Sequence, residues 1–189
     1  MASQNKIIII TAPSGSGKTT ITHYLLRTLP QLSFSISAAT RQQRSYEKDG
    51  VDYYFISEGE FQKKIHQNEF VEWEMVYEGK YYGTLKTELE RIWNEDKTPL
   101  LDIDVKGAIH VQRQYPNSTL SIFIQPPSID VLRKRLESRG TESESSINAR
   151  VNKAAYELSF RDEFDKVIIN ENLEQACKEA EEIVKSFIT

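Results

Sequence analysis

Two rhythms of apolar and polar positions run along this chain. The opening stretch Lys6–Thr11 is short, β-branched and unbroken by polar residues from Ile7 to Ile10, the pattern of a strand buried on both faces of a parallel sheet. A glycine- and serine-rich turn, Ala12–Gly17, leads into helical spacing from Lys18 to Leu29, which Pro30 ends. Phe34–Ala38 and Asp52–Ser57 read as short strands, the polar Thr40–Gly50 as a loop, and Glu58–Gln67 as a helix. Phe70–Thr84 is rich in aromatics and turns about Gly79, which predicts an antiparallel hairpin. Leu85–Asp96 is helical. Leu100–Val105, entered through Pro99, is a second buried-type strand, and Ala108–Tyr115 is a helix. Leu120–Ile124 is a strand closed by Pro126-Pro127, and Ser128–Ser138 is a helix. Gly140–Ser146 is a polar, acidic connection with the character of a mobile hinge. A long helix over Ile147–Phe164, a strand at Lys166–Ile169 and a helix at Leu173–Phe187 complete the chain.

Strands alternating with helices predict an α/β fold on a parallel sheet. Residues 36–86 interrupt that alternation with aromatics, loops and hairpin signals, so they are expected to form an inserted lobe.

Composition narrows the possible functions. With 189 residues, 39% hydrophobic and 28% charged, the chain is an ordinary globular domain. A net charge of −4 argues against nucleic acid as the main partner. The single cysteine, Cys177, permits neither an internal disulfide nor a thiolate zinc site. Met1–Lys6 lacks the features of a signal peptide, and no apolar run would span a bilayer, so a cytoplasmic protein with no membrane partner is expected. His23, His66 and His110 are scattered on helices and receive no role. Trp73 and its aromatic neighbours read as lobe packing, since no basic stripe accompanies them.

The strongest chemical signal is Ala12-Pro13-Ser14-Gly15-Ser16-Gly17-Lys18-Thr19, with Thr20 following. A strand, a glycine-rich turn and Gly-Lys-Thr opening a helix make a phosphate loop. Glycines let backbone N–H groups crowd round phosphate oxygens, and the helix N-terminus adds partial positive charge. Lys18 would charge-pair with the β- and γ-phosphates, and the Thr19 hydroxyl would help hold Mg²⁺. Ala12 stands where the strict motif has glycine, which a residue at negative φ tolerates.

Three further groups surround that loop in the reading. Asp102 and Asp104 fall at the carboxyl end of the second buried strand, where α/β sheets bind ligands, and by period two they share a strand face. No glutamate follows them as a water activator, which favours transfer to an acceptor over hydrolysis. Arg41 and Arg44, with Tyr53 and Tyr82 in the same lobe, offer forks and hydroxyls that match phosphate. Arg135, Arg139 and Arg150 form a second basic set, the first two one helical turn apart.

These pieces, taken together, resemble the guanylate kinase family. Besides the phosphate loop, the matching segments are Phe34-Ser35-Ile36-Ser37, Thr40-Arg41 with Arg44, Gly50-Val51-Asp52-Tyr53, Glu69-Phe70-Val71-Glu72-Trp73 and Tyr81-Tyr82-Gly83-Thr84. Leu101-Asp102-Ile103-Asp104, Pro126-Pro127-Ser128, Arg139-Gly140-Thr141-Glu142 and Ile168-Ile169-Asn170 follow in order, so the resemblance spans roughly residues 5–187. It implies a P-loop nucleoside monophosphate kinase fold with a core (1–35, 87–125 and 160–189), a GMP-binding lobe (36–86) and a helical lid (126–159). It also implies ATP and GMP as substrates with Mg²⁺, and a place in guanine nucleotide supply and GMP/cGMP recycling. By position, Ser37, Glu72 and Thr84 would contact the guanine base, while Arg41, Arg44, Tyr53 and Tyr82 would hold the GMP phosphate. Asp102 and Asp104 would lie near acceptor and metal. Lys18, Arg41, Arg135, Arg139 and Arg150 would carry catalysis, and Asn170 would lie near the adenine. The departures are Ala12, Ala38 and Ala39 where hydroxyl residues are common, and Thr84 where serine is common.

The chemistry of Glu72 agrees with that assignment. Guanine presents a ring N–H and an exocyclic amine side by side, and an ionised carboxylate accepts from both. Adenine offers an acceptor at the ring position, a mismatch worth ~10⁴ or more in a buried polar site. Another nucleoside monophosphate kinase, a non-catalytic binding module of the same fold and a P-loop hydrolase are the competing readings. The intact Lys18, Thr19 and lid arginines favour the enzyme, as a monomer or small homo-oligomer.

Overall fold

The computed structural model describes residues 5–138 and 143–189. Ile7–Thr11 forms β1 at the centre of the main sheet, and Ile7–Ile10 are wholly inaccessible to solvent. Their alternation divides the core. Ile8 and Ile10 pack with α1 (Lys18–Thr28) and α7 (Leu173–Ile188) on one face. Ile7 and Ile9 pack on the other with α3 (Lys86–Asn94) and α4 (Val105–Gln114). A strand covered on both faces has no use for polar positions, which is why the run is continuous. With β2 (Leu32–Phe34), β7 (Thr98–Asp102), β8 (Thr119–Gln125) and β9 (Lys166–Ile169), the five-stranded sheet has the order β2-β7-β1-β8-β9, and all its pairings are parallel.

A second, four-stranded sheet has the order β4-β3-β6-β5. It is built from β3 (Ala38–Ala39), β4 (Tyr54–Phe55), β5 (Phe70–Tyr77) and β6 (Lys80–Leu85), the last two being the predicted hairpin about Gly79. Helix α2 (Glu58–His66) covers it through Phe61, which stacks on Phe70 at 4.3 Å between ring centroids. Helices α5 (Ile129–Glu137) and α6 (Glu144–Leu158) form a hairpin with its own apolar seam of Leu132, Leu136, Ile147, Val151 and Ala154.

Several boundaries differ from the sequence reading. Phe34–Ala38 is not one strand, because the chain leaves the first sheet at Phe34 and enters the second at Ala38. The crossover is fixed by Glu88, buried on α3, whose carboxylate accepts from Ile36 N at 2.9 Å and from the Tyr54 hydroxyl at 2.9 Å. The strand expected over Asp52–Ser57 is reduced to Tyr54–Phe55. The expected helix Ile147–Phe164 instead begins at Glu144, capped by the Ser143 hydroxyl, and stops at Leu158, with a 3-10 turn at Arg161–Glu163. Ser143–Ser146 therefore belongs to a helix start, not to a hinge. Arg139 and residues 140–142 lie outside the described residues.

Candidate active site

The strand–turn–helix geometry demanded by the phosphate loop is present. Gly15 and Gly17 sit at φ +93° and +96°, the left-handed region that glycine enters without strain. Gly17 caps α1, and a side chain there would collide with the Asn170 amide. Above Gly15, a Cβ would stand 3.1 Å from Leu132 and Leu136, so α5 closes tightly over the loop. Ala12 is buried and is not among the positive-φ residues, which satisfies the condition for replacing glycine.

A cleft of about 330 Å³ runs along this loop from Ala12 to Thr20, walled by Asp104, Arg150, Lys153 and Glu157. A second cleft of about 410 Å³ lies against the smaller sheet, lined by Ser37, Tyr53, Glu72, Glu74, Tyr82 and Asp102 among others. The two share Ser14, Asp104 and Arg150, and Arg150 donates to the Ser14 hydroxyl at 2.8 Å. The phosphate loop's cleft and the second cleft thus meet at a guanidinium, the arrangement an in-line transfer between two bound groups needs.

In the second cleft Glu72 is buried, at 5% exposure, and accepts from the Thr84 hydroxyl at 2.6 Å. Burial raises its pKa to about 7, Asp104 and Glu74 add repulsion, and the Thr84 hydrogen bonds offset part of the rise. Thr84, fully buried, spends its hydroxyl on the carboxylate and stands behind it. Arg41 forms a two-point ion pair with Glu47, at 2.6 Å for each contact, and its guanidinium lies 4.9 Å from the Tyr53 ring centroid. The same ion pair holds the Glu47 carboxyl down at about 2 and pushes Arg41 further up. Tyr82 packs edge-on against Tyr53 at 6.0 Å. Arg44 is more exposed, donates to the Tyr46 hydroxyl at 2.9 Å, and lines an open cleft beside Lys18 and Ser37. Ala38 and Ala39 are wholly buried inside the lobe sheet, paired to Gly83 and Tyr82, so their methyls serve packing.

Three expectations need correction or refinement. Asp102 and Asp104 do not share a strand face, because β7 ends at Asp102 and Asp104 is the N-cap of α4, accepting from Gly107 N at 2.8 Å. A strand end and a helix cap carry the same residue type, and the cap wins because Val105 already begins the helix. Both aspartates still line the second cleft. Lys18 pairs with the Asp102 carboxylate and reaches Ile103 O at 3.4 Å. The Asn170 side-chain amide, on a residue 3% exposed, donates to Ser16 O at 2.7 Å, while the Asn170 backbone carbonyl accepts from Arg135 at 2.9 Å. In this structure both residues therefore buttress the phosphate loop. Glu47, Glu74, Lys153 and Glu157 went unnoticed in the sequence, where nothing separates them from surface charges. Only burial marks Glu157, whose pKa that burial raises.

Comparison with known proteins agrees with this geometry. The family model described as Guanylate kinase matches residues 4–187. A curated guanylate kinase of Bacteroides fragilis is 49% identical over 97% of this chain and 90% of its own length. One of Chlorobium chlorochromatii is 46% identical over 97% and 96%. Among solved structures, a guanylate kinase from Anaplasma phagocytophilum superposes with a TM-score of 0.77 at 31% identity, covering 96% of this chain and 85% of that one. With a family match over nearly its whole length and relatives 46–49% identical across it, the chain belongs to the guanylate kinase family of enzymes.

Proposed function

We propose that the protein transfers the γ-phosphoryl group of ATP to GMP, giving ADP and GDP, and so supplies guanine nucleotides and recycles GMP. The observation that carries the reading is the meeting of the two clefts at Ser14, Asp104 and Arg150. The phosphate loop takes the donor. Lys18 exchanges its Asp102 partner for phosphate oxygens. Glu72 and Ser37 read the guanine edge, with Thr84 holding Glu72 in place. Arg41, Arg44, Tyr53 and Tyr82 hold the acceptor phosphate, with Glu47 orienting Arg41. Arg150, and Arg139 from the same lid, neutralise charge on the moving group. Arg135 and Asn170 act by keeping the loop in shape.

The residues fit a magnesium ion held mainly by ATP phosphates and water. Thr19 would contribute its hydroxyl, and Asp102 and Asp104 stand near enough to orient water. Among the described residues no group of three or more acidic, histidine or cysteine side chains offers a protein cage, which is the usual condition for this ion in kinases. When bound, magnesium neutralises charge on the transferring phosphates.

The two sheets and the α5–α6 hairpin support a division into core, GMP lobe (36–86) and lid (126–159). Lobe and lid approaching each other would exclude water and favour transfer over hydrolysis. Among the described residues no helix is long and apolar enough to cross a membrane, which is compatible with a cytoplasmic enzyme acting on small molecules. The test is ADP production from ATP with GMP, dGMP, AMP, UMP and CMP in parallel. GMP is expected to be preferred by orders of magnitude, and an equal response to AMP would overturn the reading.

A further inference from the structure

Gly107 lies in the first turn of α4, and its backbone is not in the left-handed region. Nothing in its conformation requires glycine, which costs about 0.5–1 kcal/mol against alanine inside a helix. Space does require it. A Cβ at this position would stand 2.6 Å from Glu72 Oε2, 3.2 Å from Glu72 Cδ and 3.2 Å from Asp104 Oδ1. The Glu72 carboxylate can give way only into the cleft it lines, away from this seat. Glu72 Oε1 is gripped by the Thr84 hydroxyl at 2.6 Å, and its strand is pressed against β6, where a Cβ on Gly83 would lie 2.7 Å from Glu72 O. Asp104 Oδ1 is committed to capping α4. Gly59 offers the contrast: it too sits inside a helix, α2, but a Cβ there meets nothing within 4 Å.

We infer that Gly107 is a specificity-setting position, whose missing side chain forms the seat that aims the Glu72 carboxylate at the acceptor base. The inference rests on the proposal that Glu72 reads guanine. Thr84 fixes one oxygen, the bare first turn of α4 receives the other, and the partial positive charge at that helix end favours the ionised form. The carboxylate is thereby oriented at both oxygens before the substrate arrives. Gly107 is a positioning residue, since it touches Glu72 and not the reacting atoms.

The experiment compares G107A, G59A, E72D, E72Q and the double variant G107A/E72D, using ATP with GMP or AMP. G107A is expected to raise KM for GMP about ten- to a hundredfold, the cost of displacing a positioned group by about an ångström. KM for ATP should stay within about twofold, and the preference for GMP over AMP should shrink by the same factor. G59A should leave both constants unchanged. Aspartate is one methylene shorter than glutamate and clears the added methyl, so G107A/E72D should show a lower KM for GMP than the two single losses predict, and should restore thermal stability if G107A folds poorly. Wild-type KM for GMP in G107A, or simple additivity in the double variant, would overturn the inference, as would a double variant no better folded than an unstable G107A. If E72Q is impaired while G107A is not, the seat alone fails. If E72Q uses GMP normally, base reading by Glu72 fails and the seat with it.

Discussion

Glu72 is a carboxylate that the fold makes expensive to ionise, and ionisation is what the proposed reading of guanine requires of it. Its pKa rises from 4.5 to about 7, chiefly through burial. The sign for stability follows. The unfolded chain ionises Glu72 above 4.5, while the folded protein resists until about 7, so the ionised side chain costs roughly 3 kcal/mol near pH 8 and nothing below pH 4.5. Glu72→Gln removes that cost, so the variant should be more stable than wild type at pH 8, with the gain shrinking as pH falls. It should also be a far worse GMP kinase. Glutamine loses one charge-assisted hydrogen bond, worth about 1.5–3 kcal/mol, and turns an N–H toward a guanine donor at about 1–3 kcal/mol more. The sum corresponds to roughly a hundred- to ten-thousandfold in kcat/KM for GMP. In the wild-type enzyme kcat/KM for GMP should fall about tenfold per pH unit below about 7 and level off above it. Because the GMP phosphate itself titrates near 6, the quantity to plot is the ratio of wild type to variant, in which substrate ionisation cancels. A flat ratio between pH 5.5 and 8 would refute the reasoning, as would a variant that loses ATP affinity and GMP use equally.

Other consequences are checkable in the same assay. Lys18→Ala should lower kcat by about 10²–10³ or more while circular dichroism stays native, since Lys18 lines the cleft and its partners among the described residues are Asp102 and Ile103 O. Near-wild-type turnover would remove it from the mechanism. Asn170→Ala deletes the hydrogen bond to Ser16 O and should raise KM for ATP, with KM for GMP unchanged, and cost about 1–2 kcal/mol in denaturant unfolding. Glu47→Gln should raise KM for GMP by loosening Arg41, with ATP binding untouched. Because the Glu47 carboxyl titrates at about 2, the wild-type ion pair should persist throughout pH 5–8 and contribute no pH dependence to GMP binding there. Its loss would begin only as pH falls below the ordinary carboxyl value of 4.5 towards about 2.

Much of the fold was legible because its core strands are buried on both faces. Ile7–Ile10 cannot be read as amphipathic, and the turn and helix that follow have chemistry as well as periodicity behind them. Legibility failed where two roles demand the same residue types. Phe34–Ala38 looks like one strand because both sheets want apolar, small residues there, and the break between them is made by Glu88, about fifty positions away. Ser143–Ser146 looks like a connection because serines and glutamates are good helix starts as well as good loop residues.

The candidate site divides along a similar line. Residues whose role is local, such as Gly15, Gly17, Lys18 and Thr19, could be placed from a nine-residue window, since the chemistry and the turn are one object. Residues whose contacts depend on a distant partner were harder to read. Asn170 was expected near the adenine, and what no window could show is that its amide is committed to Ser16 O, 154 positions away. Glu72 announces nothing by itself, and the lever on it, its pKa of about 7, comes from burial that no window contains and from Asp104 on another element, against the Thr84 hydrogen bonds that offset part of the rise. Gly107 is the limiting case. It reads as a weak point in a helix, a residue to be replaced by alanine for stability, and its purpose appears only when the oxygen of a side chain from the other sheet is found where its Cβ would be. At Gly107, unlike Gly59, whose Cβ would meet nothing, tertiary contact has overruled the chain's own preference, and on the proposed reading that contact serves acceptor choice.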